Sequence, residues 1–162
     1  MTGGGEIRRR LQLVAAVTGM ALTCAAGCSR RAPAHDDWGT FVAGQHRQAD
    51  QRSDAGDGAA ARRALMAVLQ ARRPAGDQRL ALQDTYFRLA RLALDEHQPR
   101  QALEFANQGL ALGLAPHLFV ANLLVARAAA EEGLGQPRNA ANDYHRALLM
   151  NEALLAQVTK RP

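Results

Sequence analysis

His97-Gln98-Pro99-Arg100-Gln101-Ala102-Leu103-Glu104-Phe105-Ala106-Asn107-Gln108-Gly109-Leu110 returns further along the chain as Gly135-Gln136-Pro137-Arg138-Asn139-Ala140-Ala141-Asn142-Asp143-Tyr144-His145-Arg146-Ala147-Leu148. Gln-Pro-Arg-x-Ala is kept, and a Leu stands eight residues after the Ala in both copies. A proline in the first helical turn loses no hydrogen bond, because the amides there have no partner within the helix, so Pro99 and Pro137 start helices. Ala102, Ala106 and Gly109 share one face of the helix begun by Pro99, with Phe105 and Leu110 beside it. Small residues on that face let a second helix approach closely, and the larger ones fill the seam. Self-similarity at such a period marks stacked units, each unable to bury its apolar face alone.

Each copy follows another helical run, residues 84–94 before the first and 122–132 before the second. The unit therefore reads helix, tight turn, helix. A weaker third copy lies upstream in Gly56, Asp57, Ala61, Leu65, Val68 and Leu69, with Ala61 in the place of Ala102. No sustained alternation of β-branched residues occurs, so the expected fold class is all-α. A first helix is expected from near Trp38 to near Arg52, capped by Asp36 or Asp37. A turn over residues 53–58, a helix over 59–71 and a break at Pro74-Ala75-Gly76-Asp77 follow, with Asp77 capping the third helix. Gly113 and Pro116 separate the middle unit from the last. Residues 151–159, with Leu154, Leu155 and Val158 on one side, read as a closing helix, since a stack needs its last apolar face covered.

The pattern resembles the tetratricopeptide repeat. Leu124, Ala128, Gly135, Ala140, Tyr144, Ala147 and Leu148 follow that family's order of bulky, small, turn glycine, Ala, aromatic and Ala-Leu. Tyr86, Ala90, Ala102, Ala106 and Leu110 follow it with His97 where the turn glycine would stand. The spacings from Ala61 to Ala102 and from Ala102 to Ala140 both exceed the family's period of about 34 residues, which leaves other helical-hairpin repeats open. The resemblance implies a helical-hairpin solenoid of about three repeats with a C-terminal capping helix, over residues 38–162. In that family the first helices of successive hairpins line a groove that binds other proteins. The matching outward positions here are Phe87, Arg91, Asn122, Val125 and Glu132, extended by His46 and Asp50. Phe87 and Val125 read equally as interior residues.

Ahead of the repeats, Arg8-Arg9-Arg10 precedes an uncharged, mostly apolar run from Leu11 to Ala26. That run is shorter than the roughly 18 residues expected of a spanning helix. A basic head, a short apolar core and small residues at its end make a secretion signal. An uncleaved anchor, or cleavage after Ala26 without lipid, are the alternatives. Ala25-Ala26-Gly27-Cys28 resembles the bacterial lipobox, with Ala25 where Leu is usual. The resemblance implies a signal peptide over 1–27, a lipidated Cys28 and a tether over 28–37. Ser29 after the cysteine then points to the outer membrane, with the chain facing the periplasm.

The net charge is +5, of which Arg8, Arg9, Arg10 and Glu6 in the leader supply a surplus of two, leaving +3 beyond it. Basic and acidic residues are interspersed there, without a basic face or interleaved aromatics, so no nucleic-acid partner is expected. With Cys28 modified and Cys24 removed, no thiol remains to form a disulfide. Residues 53–58 faintly suggest a calcium loop but lack the ligand order and the closing Glu. The five histidines are never three or four apart, so no helical two-His metal face forms. His46 and Asp50, one turn apart, read as a helical hydrogen-bonded pair. Asp95-Glu96 and Glu131-Glu132 read as solvated helix ends. No nucleophile–base arrangement or phosphate loop is present, and no enzyme, cofactor or metal is expected.

The expected function is a membrane-anchored periplasmic scaffold that binds a protein partner. Proteins it resembles serve as assembly or piloting factors for pili and secretion systems. The rival readings are a self-associating structural envelope lipoprotein and an accessory to a cell-wall enzyme.

Overall fold

The computed structural model describes residues 35–159, with side chains from Trp38 onward. The expectations for the signal peptide, for Cys28 and for most of the tether lie outside the described residues. The described residues form six α-helices and no strand: α1 (His35–Asp54), α2 (Gly58–Gln70), α3 (Arg79–Asp95), α4 (Pro99–Ala111), α5 (Leu118–Gly133) and α6 (Pro137–Thr159). Helix α1 begins before Asp36 and Asp37, so these residues lie within the helix and do not precede it.

Three connections of three residues each join α1 to α2, α3 to α4 and α5 to α6. Their middle residues, Gly56, His97 and Gly135, have φ of 76°, 56° and 72°. Such a left-handed residue reverses the chain at a helix end and satisfies carbonyls that the helix leaves open. The amides of Asp57, Gln98 and Gln136 each donate to the carbonyl five residues back, at 2.8 Å, and those of Gly56, His97 and Gly135 to the carbonyl three back, at 2.9 Å. The second helix of each pair starts two residues after the left-handed one, at Gly58, Pro99 and Pro137. Asp57 strengthens the first start by accepting from the Ala60 amide at 2.9 Å.

The repeat spacing is uneven for a local reason: the interval from Ala61 to Ala102 is three residues longer than that from Ala102 to Ala140. Two of those three lie in the connection 71–78, which is longer than 112–117. The third lies in α3, which has 17 residues to the 16 of α5. Asp77 accepts from the Arg79 amide at 2.9 Å and so helps to start α3.

The core is layered from the tight turns toward the long connections. Near the turns, Ala93, Ala102 and Ala130 meet, and Ala90, Ala106 and Ala126 form the next layer. Near the long connections, Leu110 packs with Val120, Leu123, Leu124 and Ala147. The first pair joins in the same sense. Ala49, Ala61 and Leu92 gather toward its turn, and Trp38, Val42 and Val68 with Ala71 and Ala81 toward the other end. Neighbouring helices therefore alternate in direction. All tight turns lie at one edge, which we call the turn edge. The start of α1, both long connections and the end of α6 lie at the other, the loop edge. The odd-numbered helices also touch: α3 packs broadly on α5, whereas α1 reaches α3 at few points.

The small residues of the repeat stand where helices cross. Ala61, Ala102 and Ala140 are all essentially inaccessible to solvent. A Cβ on Gly109 would lie 2.8 Å from both δ-methyls of Leu123 and 3.0 Å from Cβ of Tyr86. Gln83, buried on α3, donates to the Gly113 carbonyl at 2.9 Å and holds the second long connection.

The expectation of a separate closing helix is corrected. Residues 151–159 are the last turns of α6, which runs 23 residues where α2 and α4 run 13. No glycine or proline interrupts residues 138–159, so nothing stops the helix. Leu155 and Val158 are 66% and 70% exposed and cover nothing.

Candidate functional site

Helices α1, α2 and α3 enclose a cleft of about 350 Å³. Asp50, Ser53 and Asp54 come from α1, Ala61 and Leu65 from α2, and Phe87, Arg88, Arg91, Leu92 and Asp95 from α3. The apolar floor belongs to the layered core, while charged groups stand at the rim. Three of the seven groove residues expected from sequence, Asp50, Phe87 and Arg91, come together here. Phe87 is half-buried, lines this cleft and packs on two core layers as well.

His46 is a correction. It is buried, and its ring ties α1 to α3, with no face left for a groove. Nδ1 lies 3.2 Å from Asp84 Oδ2, and Nε2 lies 2.9 Å from the Thr85 hydroxyl. Its expected partner one turn on, Asp50, instead accepts from Arg88 across the helix pair at 2.7 Å. Arg88 also donates to Asp84 at 3.1 Å. Burial pushes the Asp84 carboxyl upward, but the hydrogen bond from His46 and the charge of Arg88 outweigh it and hold the group below its ordinary value. Arg62 of α2 bonds both Glu96 and Gln101, tying the first pair to the turn of the second.

The remaining three expected residues lie on α5 outside this cleft. Asn122 is half-buried and Val125 exposed. Glu132 turns toward α6, where it accepts from the Tyr144 hydroxyl at 2.9 Å. Burial and that bond push the Tyr144 phenol upward.

A second cleft, between α5 and α6, has no forerunner in the sequence reading. It is lined by Arg127, Glu131, Asn139, Asn142, Asp143, His145 and Arg146. Arg127 donates to both oxygens of buried Asp143, and to Asn107 of α4 at 3.2 Å. Arg146 reaches Asp143 at 3.4 Å. Glu131, expected at a solvated helix end, is buried, and its Oε2 has no hydrogen-bond partner. Burial and, after it, the Asp143 charge push its carboxyl upward, against a smaller pull from Arg127. A signal was present in the repeat. In the alignment that sets Ala140 on Ala102, Leu89, Ala93 and Phe105 become Arg127, Glu131 and Asp143. Three apolar positions of one pair turn charged together in the next.

Among the described residues no group of three or more His, Cys, Asp or Glu side chains is placed to hold a metal ion. None of the described helices is long and apolar enough to cross a membrane. No protein-family model, curated protein or solved structure matches the chain.

Proposed function

We propose that the six helices are a tetratricopeptide-like solenoid of three hairpins, carried at the periplasmic face of the outer membrane by lipid on Cys28. In this reading the cleft between α1, α2 and α3 binds another protein, and no catalytic step belongs to it. Support for the solenoid comes from three equivalent left-handed turns and from buried alanine five residues after each of them, Ala61, Ala102 and Ala140. Support for the anchor comes from the order of basic head, apolar run, small residues and cysteine in residues 8–28.

The observation that carries the binding reading is the convergence of Asp50, Phe87 and Arg91 in one open cleft. Asp54, Asp95 and Arg91 stand at its rim without an ion pair among the described residues. A peptide segment that offers an apolar side chain to Phe87 and a cationic one to Asp54 and Asp95 fits this lining.

The test is a photo-crosslinking residue at Arg91 in the full chain in native membranes, with a second at Glu132 as control. A single foreign protein captured in stoichiometric amount at Arg91, absent at Glu132 and lost with Asp54→Ala plus Asp95→Ala, is expected. Adducts of the chain with itself alone would favour the self-associating lipoprotein. Turnover of cell-wall fragments that one point substitution abolishes would overturn the scaffold reading.

A further inference from the structure

Exposed apolar side chains are distributed unevenly between the two edges. Eight large hydrophobic residues are exposed among the described ones: Leu80, Leu114, Leu118, Val125, Leu148, Leu149, Leu155 and Val158. Only Val125, midway along α5, lies away from the loop-edge half. Leu80 and Leu118 open α3 and α5, Leu114 lies in the connection between α4 and α5, and the other four lie on the last turns of α6. The turn edge carries none of them, and Asp57, His97, Gln98, Gln136 and Arg138 are exposed there. The loop edge mixes these apolar chains with exposed Arg72, Arg73, Asp77 and Arg79, whereas the turn edge is polar throughout, an unevenness that a monomer in water gains nothing from.

Helix α6 accentuates the asymmetry. Beyond Met150, the last of its residues in a core cluster, α6 runs nine more residues, of which only Asn151 and Leu154 are half-buried. At 1.5 Å per residue they span about 13 Å of helix, most of it exposed. Leu148, equivalent to Leu110, is 55% exposed where Leu110 is buried at 5%, because α5 covers Leu110 and no further helix covers Leu148.

The chain also enters the fold on this edge. Helix α1 starts at His35, and its first core residues, Trp38 and Val42, pack with the end of α2 and the start of α3. Only six residues separate Cys28 from His35. They span at most about 20 Å when fully extended.

We infer that the loop edge seats on the lipid surface, with Leu114, Leu118, Leu155 and Val158 entering the interface and the turn edge facing away. The inference rests on the anchored reading given above. A tether this short holds the edge that carries its attachment point near the bilayer, and that edge bears nearly all the exposed apolar side chains. The opposite end of the helix stack argues against head-to-tail association with a second copy, because exposed Arg47, Gln48, Gln51 and Arg52 make that face of α1 polar. The seated edge also fixes orientation. The long axes of the helices stand away from the membrane, and the α1–α2–α3 cleft opens to the side.

The experiment uses the full chain in phosphatidylcholine vesicles whose acyl chains carry bromine, a contact quencher of indole emission. In a Trp38→Phe background, which removes the chain's single Trp, the probes are Leu118→Trp, Leu155→Trp and, on the turn edge, Gln136→Trp. Flotation of the vesicles reports the anchor independently of the probes. The expected result is emission at Leu118→Trp and Leu155→Trp falling to about half or less against unbrominated lipid, with Gln136→Trp unchanged. A chain that floats with all three probes unquenched overturns the seated edge and leaves the anchor standing. A lipid-independent blue shift at Leu155→Trp, in a chain that crosslinks to itself, assigns the edge to a second copy and equally overturns it. A chain that fails to float overturns both.

Discussion

His97→Gly should make the protein more stable. The three tight turns are the same structure built twice with glycine and once with histidine. His97 holds φ at 56° on an exposed turn. Left-handed backbone costs an L-residue roughly 1–2 kcal/mol through the approach of its Cβ to the next carbonyl. Glycine removes that cost but gives the unfolded chain roughly 0.4–1 kcal/mol of additional freedom. The net gain is about 0.5–1 kcal/mol, which for a domain of this size raises Tm by roughly 2–5 °C. Gly135→Ala is the mirror experiment. A Cβ there meets nothing within 4 Å, so only the backbone angle, at 72°, opposes it, and the expected loss is of similar size, about 0.5–1 kcal/mol. Thermal unfolding followed by circular dichroism, on the full chain in one detergent, reads both. A lower Tm for His97→Gly, or a higher one for Gly135→Ala, refutes the equivalence of the turns.

Glu131→Gln removes a carboxylate whose buried Oε2 has no hydrogen-bond partner and which lies near the Asp143 charge. Because its folded value is raised, the native state binds the proton more tightly, so this residue's contribution to stability grows as pH falls toward the ordinary 4.5. The variant should be more stable than the parent at neutral pH and should lose that acid-side gain, as denaturant titrations across the range above 4.5 will reveal. Ala102→Arg and Ala140→Arg should each cost roughly 3 kcal/mol or more, since a charged chain enters a helix crossing; unchanged melting in both contradicts the packing. Gly109→Ala pushes a methyl against Leu123 and Tyr86 and should cost about 1–3 kcal/mol in the same melts. Cys28→Ser should leave the chain unprocessed or free of membranes while Cys24→Ser does neither, and mass spectrometry of the N-terminal peptide decides between lipidated and bare Cys28.

The start of every second helix was legible, because Pro99, Pro137 and the buried alanines act through local geometry that a repeat displays twice. The left-handed turn at His97 was legible for the same reason, as the residue standing in a glycine's place. The closing helix was not. Its expectation rests on the need to cover Leu148 and its neighbours, a requirement of the whole stack, whereas helix ends obey local residues, and α6 has none that stop it. His46 was misassigned because spacing along one helix suggests Asp50, while the partners that bind it, Asp84 and Thr85, stand on α3, far away in sequence. Arg127, Glu131 and Asp143 could have been found by aligning the two copies and asking where apolar positions turn charged together.

The seams between successive first helices differ in kind, and the difference is mechanical. Helix α3 meets α5 through Phe87, Leu123, Leu124 and alanine pairs, whereas α1 joins apolar clusters with α3 through Ala49, Trp38 and Val42 and adds polar ties, His46 with Asp84 and Thr85 and Asp50 with Arg88. A pull on the chain at His35 loads α1 first, and α1 meets α3 at few points while α3 packs broadly on α5. Helix α1, which forms one wall of the α1–α2–α3 cleft, is therefore the first to take that load. If Cys28 is anchored and a partner binds there, as proposed above, tension on the tether reaches that binding site before it reaches the α3–α5 seam.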